Sequence, residues 1–127
     1  MGKMFLVGAG GFVGSILRYW FSGLVQQWTQ SAVFPFGTLA VNLTGSLVIG
    51  FLSQLADSRG VFTAETRALV FIGVIGGFTT FSTFGNETMN FLREGENLPA
   101  VLNVSAHIIL GLGAVWLGRS VSYWIWR

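Results

Sequence analysis

Four apolar stretches, at about 3–27, 37–56, 65–92 and 98–125, take up nearly all of this 127-residue chain, and each reaches the roughly 20 residues that a helix needs to cross a bilayer. Little is left for anything else. Backbone N–H and C=O groups in hydrocarbon find no water, so a spanning segment must satisfy them internally, as a helix or in a closed barrel. Long runs without alternating polarity select the helix. The expectation is an all-α integral membrane protein with four transmembrane helices. It forms one domain over 1–127, multi-pass in the cell membrane, with both termini on one side. Only 9% of the residues are charged, where a soluble domain carries about a quarter.

The turn formers and most charges fall in the connectors, around Phe34-Pro35, Asp57-Ser58-Arg59-Gly60 and Arg93-Glu94-Gly95-Glu96-Asn97. Lys3 before an apolar run resembles a signal peptide. The run, however, continues past Arg18 through Tyr19, Trp20 and Phe21, which fits a first membrane span. The net charge of +2 comes from scattered residues, so there is no basic stripe of the kind that binds nucleic acid. Cysteine is absent, which excludes disulfides and thiolate metal sites. Lys3, Arg59, Arg67 and Arg127 lie on the terminal side, with Arg119 nearby, and bias that side toward the cytoplasm. Trp28, Trp124 and Trp126 stand near span ends, where indole rings suit the interface.

The third segment is longer than one straight crossing requires, and its middle reads Gly76-Gly77-Phe78-Thr79-Thr80. Paired glycines and threonines weaken a helix, and irregular backbone at membrane depth is tolerated where protein or a water-filled cavity satisfies it. A break is expected there. Glycines at 8, 11 and 14 mimic a dinucleotide-binding turn, but that site needs a βαβ unit and an acid about 20 residues on. The first acid here is Asp57. Gly10 and Gly14 read instead as a GxxxG packing face, and no enzyme chemistry is indicated.

Polar residues inside apolar spans are expensive and hence informative. Arg18, deep in the first span, either snorkels to headgroups or lines an aqueous vestibule that concentrates anions. Asn42 can donate two hydrogen bonds to an anion without adding charge, or it can bond another helix. The run Thr79-Thr80-Phe81-Ser82-Thr83-Phe84 alternates hydroxyls with aromatic rings. Phe81 and Phe84, three apart, share a helix face, and their ring edges are electropositive. Two edges and neighbouring hydroxyls suit a small anion as well as a packed core. Glu87 follows as the carboxylate set well inside a span; it can carry protons, gate a path or reach headgroup water. Asn103, His107 and Gly111, four apart, form one stripe on the last span, which reads as a polar track or as buried hydrogen-bonding groups. A lone His makes a poor metal site.

With those residues in view, the chain resembles the small fluoride channels known as Fluc or CrcB proteins nearly from end to end. Three segments carry the resemblance: Gly10-Gly11-Phe12-Val13-Gly14 with Arg18-Tyr19; Gly37-Thr38-Leu39-Ala40-Val41-Asn42-Leu43; and Gly76 to Phe84 with Glu87. The resemblance implies an antiparallel, dual-topology homodimer whose two pores let fluoride leave the cell passively. By that similarity Phe81 and Phe84 line the pores, Asn42 is a pore donor, and Ser82 and Thr83 belong to a polar track. Arg18 and Thr38 belong to the vestibule. A structural sodium ion at the dimer interface would rest on the main-chain carbonyls of Gly76 and Thr79. Many family members carry hydroxyls on the fourth-helix track, where this chain has Asn103, His107 and Gly111. The alternative reading is a proton-coupled small four-span exporter using Glu87 or His107. Transporters of that kind depend on a carboxylate in the first span, and this one has none.

Overall fold

The chain was described over residues 1–127 by a computed structural model, and it is helical throughout. Helix α1 (Gly2–Thr29) and helix α2 (Phe36–Arg59) precede a composite third span. That span comprises α3 (Ala64–Arg67), a π-helical stretch (Ala68–Ile75), the short α4 (Gly76–Phe78) and α5 (Phe81–Arg93). Helix α6 (Asn97–Trp126) closes the chain. Four segments are long and apolar enough to cross a membrane: Gly2–Thr29, Phe36–Arg59, Ala64–Arg93 and Asn97–Trp126. They contain the four stretches expected from the sequence, each extended by a residue or more at both ends.

Local chemistry sets the ends. Thr63 caps α3 by accepting the Thr66 amide at 3.1 Å, and α2 ends at Gly60, whose φ of 60° is left-handed. The turn between α1 and α2 is tied by one side chain. Gln26 donates to the carbonyls of Ser31 at 2.7 Å and Phe34 at 3.1 Å and accepts the Gly37 amide at 3.0 Å. At the terminal side Arg119 pairs with Asp57 at 3.3 Å, and Arg59 donates to the Trp126 carbonyl at 3.2 Å.

Helix α1 packs along the first half of the third span, while α2 packs along α6. The first of these contacts explains the glycines. A Cβ on Gly10 would strike the Leu69 carbonyl oxygen and lie 2.9 Å from the Gly73 Cα; one on Gly14 would strike the Val74 carbonyl and lie 2.9 Å from the Phe78 amide. The backbones meet directly, as small residues allow between membrane helices. The GxxxG face predicted on α1 is thus seated on the third span.

The break occurs, but the glycines do not make it. Gly76 and Gly77 stay helical, and the chain turns extended only at Thr79 (φ −82°, ψ 158°) and Thr80 (φ −148°, ψ 113°). Gly77 serves close approach, since a Cβ there would sit 2.8 Å from the Gly11 carbonyl oxygen. The π-helical stretch upstream, in which the Gly76 amide reaches the Phe71 carbonyl five residues back, has no local sequence signal. Such turns often mark functional sites.

Only 18 of the 127 residues are buried within the chain. Its outer surface is a band of large apolar side chains, among them Phe5, Phe12, Trp20, Ile109, Leu112 and Trp116. Such a surface belongs against lipid or another apolar protein face. The chain is a multi-pass membrane protein.

Candidate functional site

The break is held open by Asn42. The Thr80 amide has no carbonyl in helical register and donates to Asn42 Oδ1 at 2.8 Å, while Asn42 Nδ2 donates to the Thr80 carbonyl at 3.0 Å. One carboxamide therefore satisfies both backbone groups of an extended residue, the pairing that a buried irregular backbone requires. The orientation of the amide follows from chemistry, because only the oxygen accepts an N–H. Its second N–H then points at His107 Nε2, 3.0 Å away. That nitrogen must be the acceptor, so the proton sits on Nδ1, which donates to the Asn103 carbonyl at 3.0 Å. The tautomer is assigned from the network.

Thr80 also starts the half-helix α5. Its hydroxyl accepts the Thr83 amide at 3.3 Å and donates to Thr83 Oγ1 at 3.0 Å. The positive end of the α5 dipole thereby lies midway along the span. Phe81 and Phe84 follow at once, ring centroids 5.6 Å apart and edge-on at 63°. Phe81 is 82% exposed in the single chain. Phe84 leans on the His107 imidazole, with centroids 4.1 Å apart. Asn42, Ser46, Thr80, Phe81, Phe84 and His107 all border a groove of about 340 Å³ that contains no charged side chain.

A second cavity, about 250 Å³, opens on the other side of the break. Arg18 and Ser15 of α1, Thr38 of α2, and Thr80 and Thr83 border it, giving one guanidinium among hydroxyls. Thr38 in turn donates to Glu87 Oε1 at 2.7 Å, and Glu87 Oε2 is buried without a partner. Thr38 and Glu87 also face a wider polar cavity of about 480 Å³ beside Gln26, Asn90 and Glu94. The structure thus gathers Arg18, Thr38, Thr83 and Glu87 around one end of α5, and Asn42, Phe81, Phe84 and His107 along its other flank. Ser82 is exposed and borders neither cavity.

The family model for CrcB-like protein, Camphor Resistance (CrcB), matches residues 5–119. The chain belongs to the CrcB family. Three relatives agree with it over most of their lengths. A protein of Parabacteroides distasonis named fluoride-specific ion channel FluC is 48% identical over 119 residues, covering 91% of this chain and 89% of its own. A namesake from Chlorobium chlorochromatii is 46% identical over 122 residues, covering 94% and 92%. Fluoride-specific ion channel FluC 1 of Methanosarcina acetivorans is 40% identical over 119 residues, covering 94% and 89%. The CrcB match takes in every residue described in the groove and the cavities.

On the last span of this CrcB member the three residues of the stripe have different surroundings. Asn103 is fully buried and donates to Thr88 Oγ1 at 3.0 Å, and the Thr88 hydroxyl donates to the Phe84 carbonyl at 2.8 Å. Gly111 borders neither the groove nor the cavities. The sequence placed Thr80 in the expected break without marking it as the pivot, and Thr88 as the link to α6 went unseen. Thr80 stands before a residue pair that restarts a helix, the pattern of an N-cap. Thr88 carried no signal.

Proposed function

We propose that this chain forms a fluoride-selective channel that passes the ion down its gradient, and that two copies build the conducting unit. The observation that carries the reading is the groove: two ring edges and a hydroxyl-rich turn at the positive end of a half-helix, in a wall without charge. A dry path lined by weak donors replaces the hydration of a small, strongly hydrogen-bonding anion, whereas a fixed cation would hold the ion too long. The relatives named as fluoride-specific channels support the same ion. No bond is made or broken.

The groove is open along one side in the single chain, and Phe81 projects from it. A second copy related by two-fold symmetry would close it, and antiparallel insertion would place like grooves on both faces. The carbonyls at the break fit a sodium ion at such an interface. Gly76 is exposed and its carbonyl loses the Thr80 amide to Asn42, while the Thr79 carbonyl accepts no hydrogen bond. Carbonyls freed by an unwound helix are suitable ligands for sodium. A bound sodium ion would offset their dipoles and tie the copies together. In this reading Arg18 and Thr38 gather anions, Glu87 sets the charge near them, and Thr83, with Ser82 on the exposed surface beside it, leads toward Phe81 and Phe84.

The test is fluoride efflux from liposomes holding the purified protein, with chloride as control. Rapid efflux of fluoride and not chloride is expected, and Phe81→Ile, which removes an aromatic edge worth about 1 kcal/mol, should slow it about fivefold. Efflux of both anions alike, or of neither from folded protein, would sink the reading. Arg18→Gln should slow efflux as well, and more so at low ionic strength. Screening over about 10 Å at 0.1 M salt already weakens the pull of Arg18, which is half-buried beside its cavity. An effect of equal size at every salt concentration would argue against a vestibular role.

A further inference from the structure

His107 is joined to both parts of the groove that the proposed pathway depends on. Its Nε2 takes one N–H of Asn42, whose other polar atoms hold the Thr80 backbone. Its ring lies against Phe84. Its Nδ1–H is spent on the Asn103 carbonyl, and Asn103 reaches back through Thr88 to the Phe84 carbonyl. The hydrogen bonds form a belt running from α2 through α6 to α5, with Phe84 inside it. Neither ring nitrogen keeps a proton for an anion. The imidazole is thus poorly placed to bind fluoride and well placed to orient the groups around it.

We propose that neutral His107 is a positioning residue, fixing the Asn42 clamp and the Phe84 ring together, and that protonating it opens the belt and reduces conduction. This inference rests on the channel reading above. Imidazolium has no acceptor, so a proton on Nε2 would face the Asn42 N–H donor to donor. Either Asn42 turns, releasing the Thr80 backbone, or the ring turns, leaving Phe84 without its support. No nearby charge would offset the proton. The ring faces Asn42 and Ser46 of α2, Thr80 of the break and Phe84 of α5, none of them charged, and α1 contributes nothing to the groove. Glu87, the carboxylate nearest to Phe84 in sequence, is bonded to Thr38 on the other flank.

The experiment is fluoride current across a planar bilayer, with the same pH on both sides. Neutral hydrogen fluoride carries no current and so does not confuse the readout. Between about pH 7.5 and about pH 4.5, an interval that runs past the acid end of ordinary histidine titration because protonation must break the belt, the wild-type current is expected to fall at least about threefold. His107→Gln offers an acceptor to Asn42 but takes up no proton. Because Phe84 also loses the ring beside it, the variant's current at the higher pH should lie between those of the wild type and His107→Leu, and the fall on acidification should be lost. His107→Leu, lacking the acceptor, should be about tenfold lower at both pH values. A wild-type current independent of pH, or a His107→Gln channel that falls as the wild type does, overturns the assignment and leaves the channel reading intact. Absence of any wild-type fluoride current at either pH overturns both.

Discussion

Asn42→Ala is expected to lower fluoride efflux about 100-fold while leaving the protein in the membrane. The substitution strands the Thr80 N–H and C=O, both now held by the side-chain amide at 2.8 and 3.0 Å, and also strips His107 Nε2 of its donor. Each buried group left unpaired costs about 1–3 kcal/mol, and about 3 kcal/mol of lost organisation at the pathway corresponds to about 100-fold. The groove beside Thr80 lets water rescue part of the cost to folding. Water does not restore the aim of Phe81, the residue immediately after the clamp. Asn42→Asp provides an instructive comparison, because it keeps the acceptor for the Thr80 amide and loses both donors. Its efflux should fall nearly as far. Wild-type rates in Asn42→Ala liposomes would show that the break holds itself and would remove Asn42 from the account.

Gly14→Val should act earlier, at folding. A Cβ at residue 14 meets the Val74 carbonyl and approaches the Phe78 amide to 2.9 Å. Neither is a flexible side-chain tip that can step aside. Overpacking in well-packed interiors costs about 1–3 kcal/mol and at times more, and here relief requires moving α1 off the third span. The contact α1 makes there, along the π-helical stretch and α4, is its largest. The expected result is loss of most of the monodisperse protein recovered in detergent, with Gly11→Val as the contrast on the same helix. A Cβ added at Gly11 meets nothing within 4 Å, so that position should tolerate a side chain far better. Equal recovery of Gly14→Val and wild type would mean that the two helices are not in backbone contact in the membrane.

Much of the architecture was legible because a bilayer imposes simple rules. Length and hydropathy located the four spans, and the Gly10/Gly14 pair announced a close helix contact before its partner was known. The position of the break was less legible. Glycines and threonines both weaken a helix, but the glycines stay helical, packed against α1, and the chain opens at the threonines because Asn42, 38 residues before Thr80, supplies the hydrogen bonds of the Thr80 backbone. The stripe on α6 shows the same limit. Spacing placed Asn103 and His107 on one face, yet whether that face met an ion or another helix depended on α5, whose Thr88 takes the Asn103 side chain.

The membrane class, the number of spans, the polar residues that had to have a purpose there and, through similarity to the CrcB proteins, the family can all be read from the order of residues. These follow from the cost of placing backbone and charge in hydrocarbon, a cost that can be read along one chain. Which of those polar residues face each other emerges with the packing of the helices. A carboxamide or an imidazole has its bonds fixed by whatever helix lies across from it, and that depends on how the spans pack together.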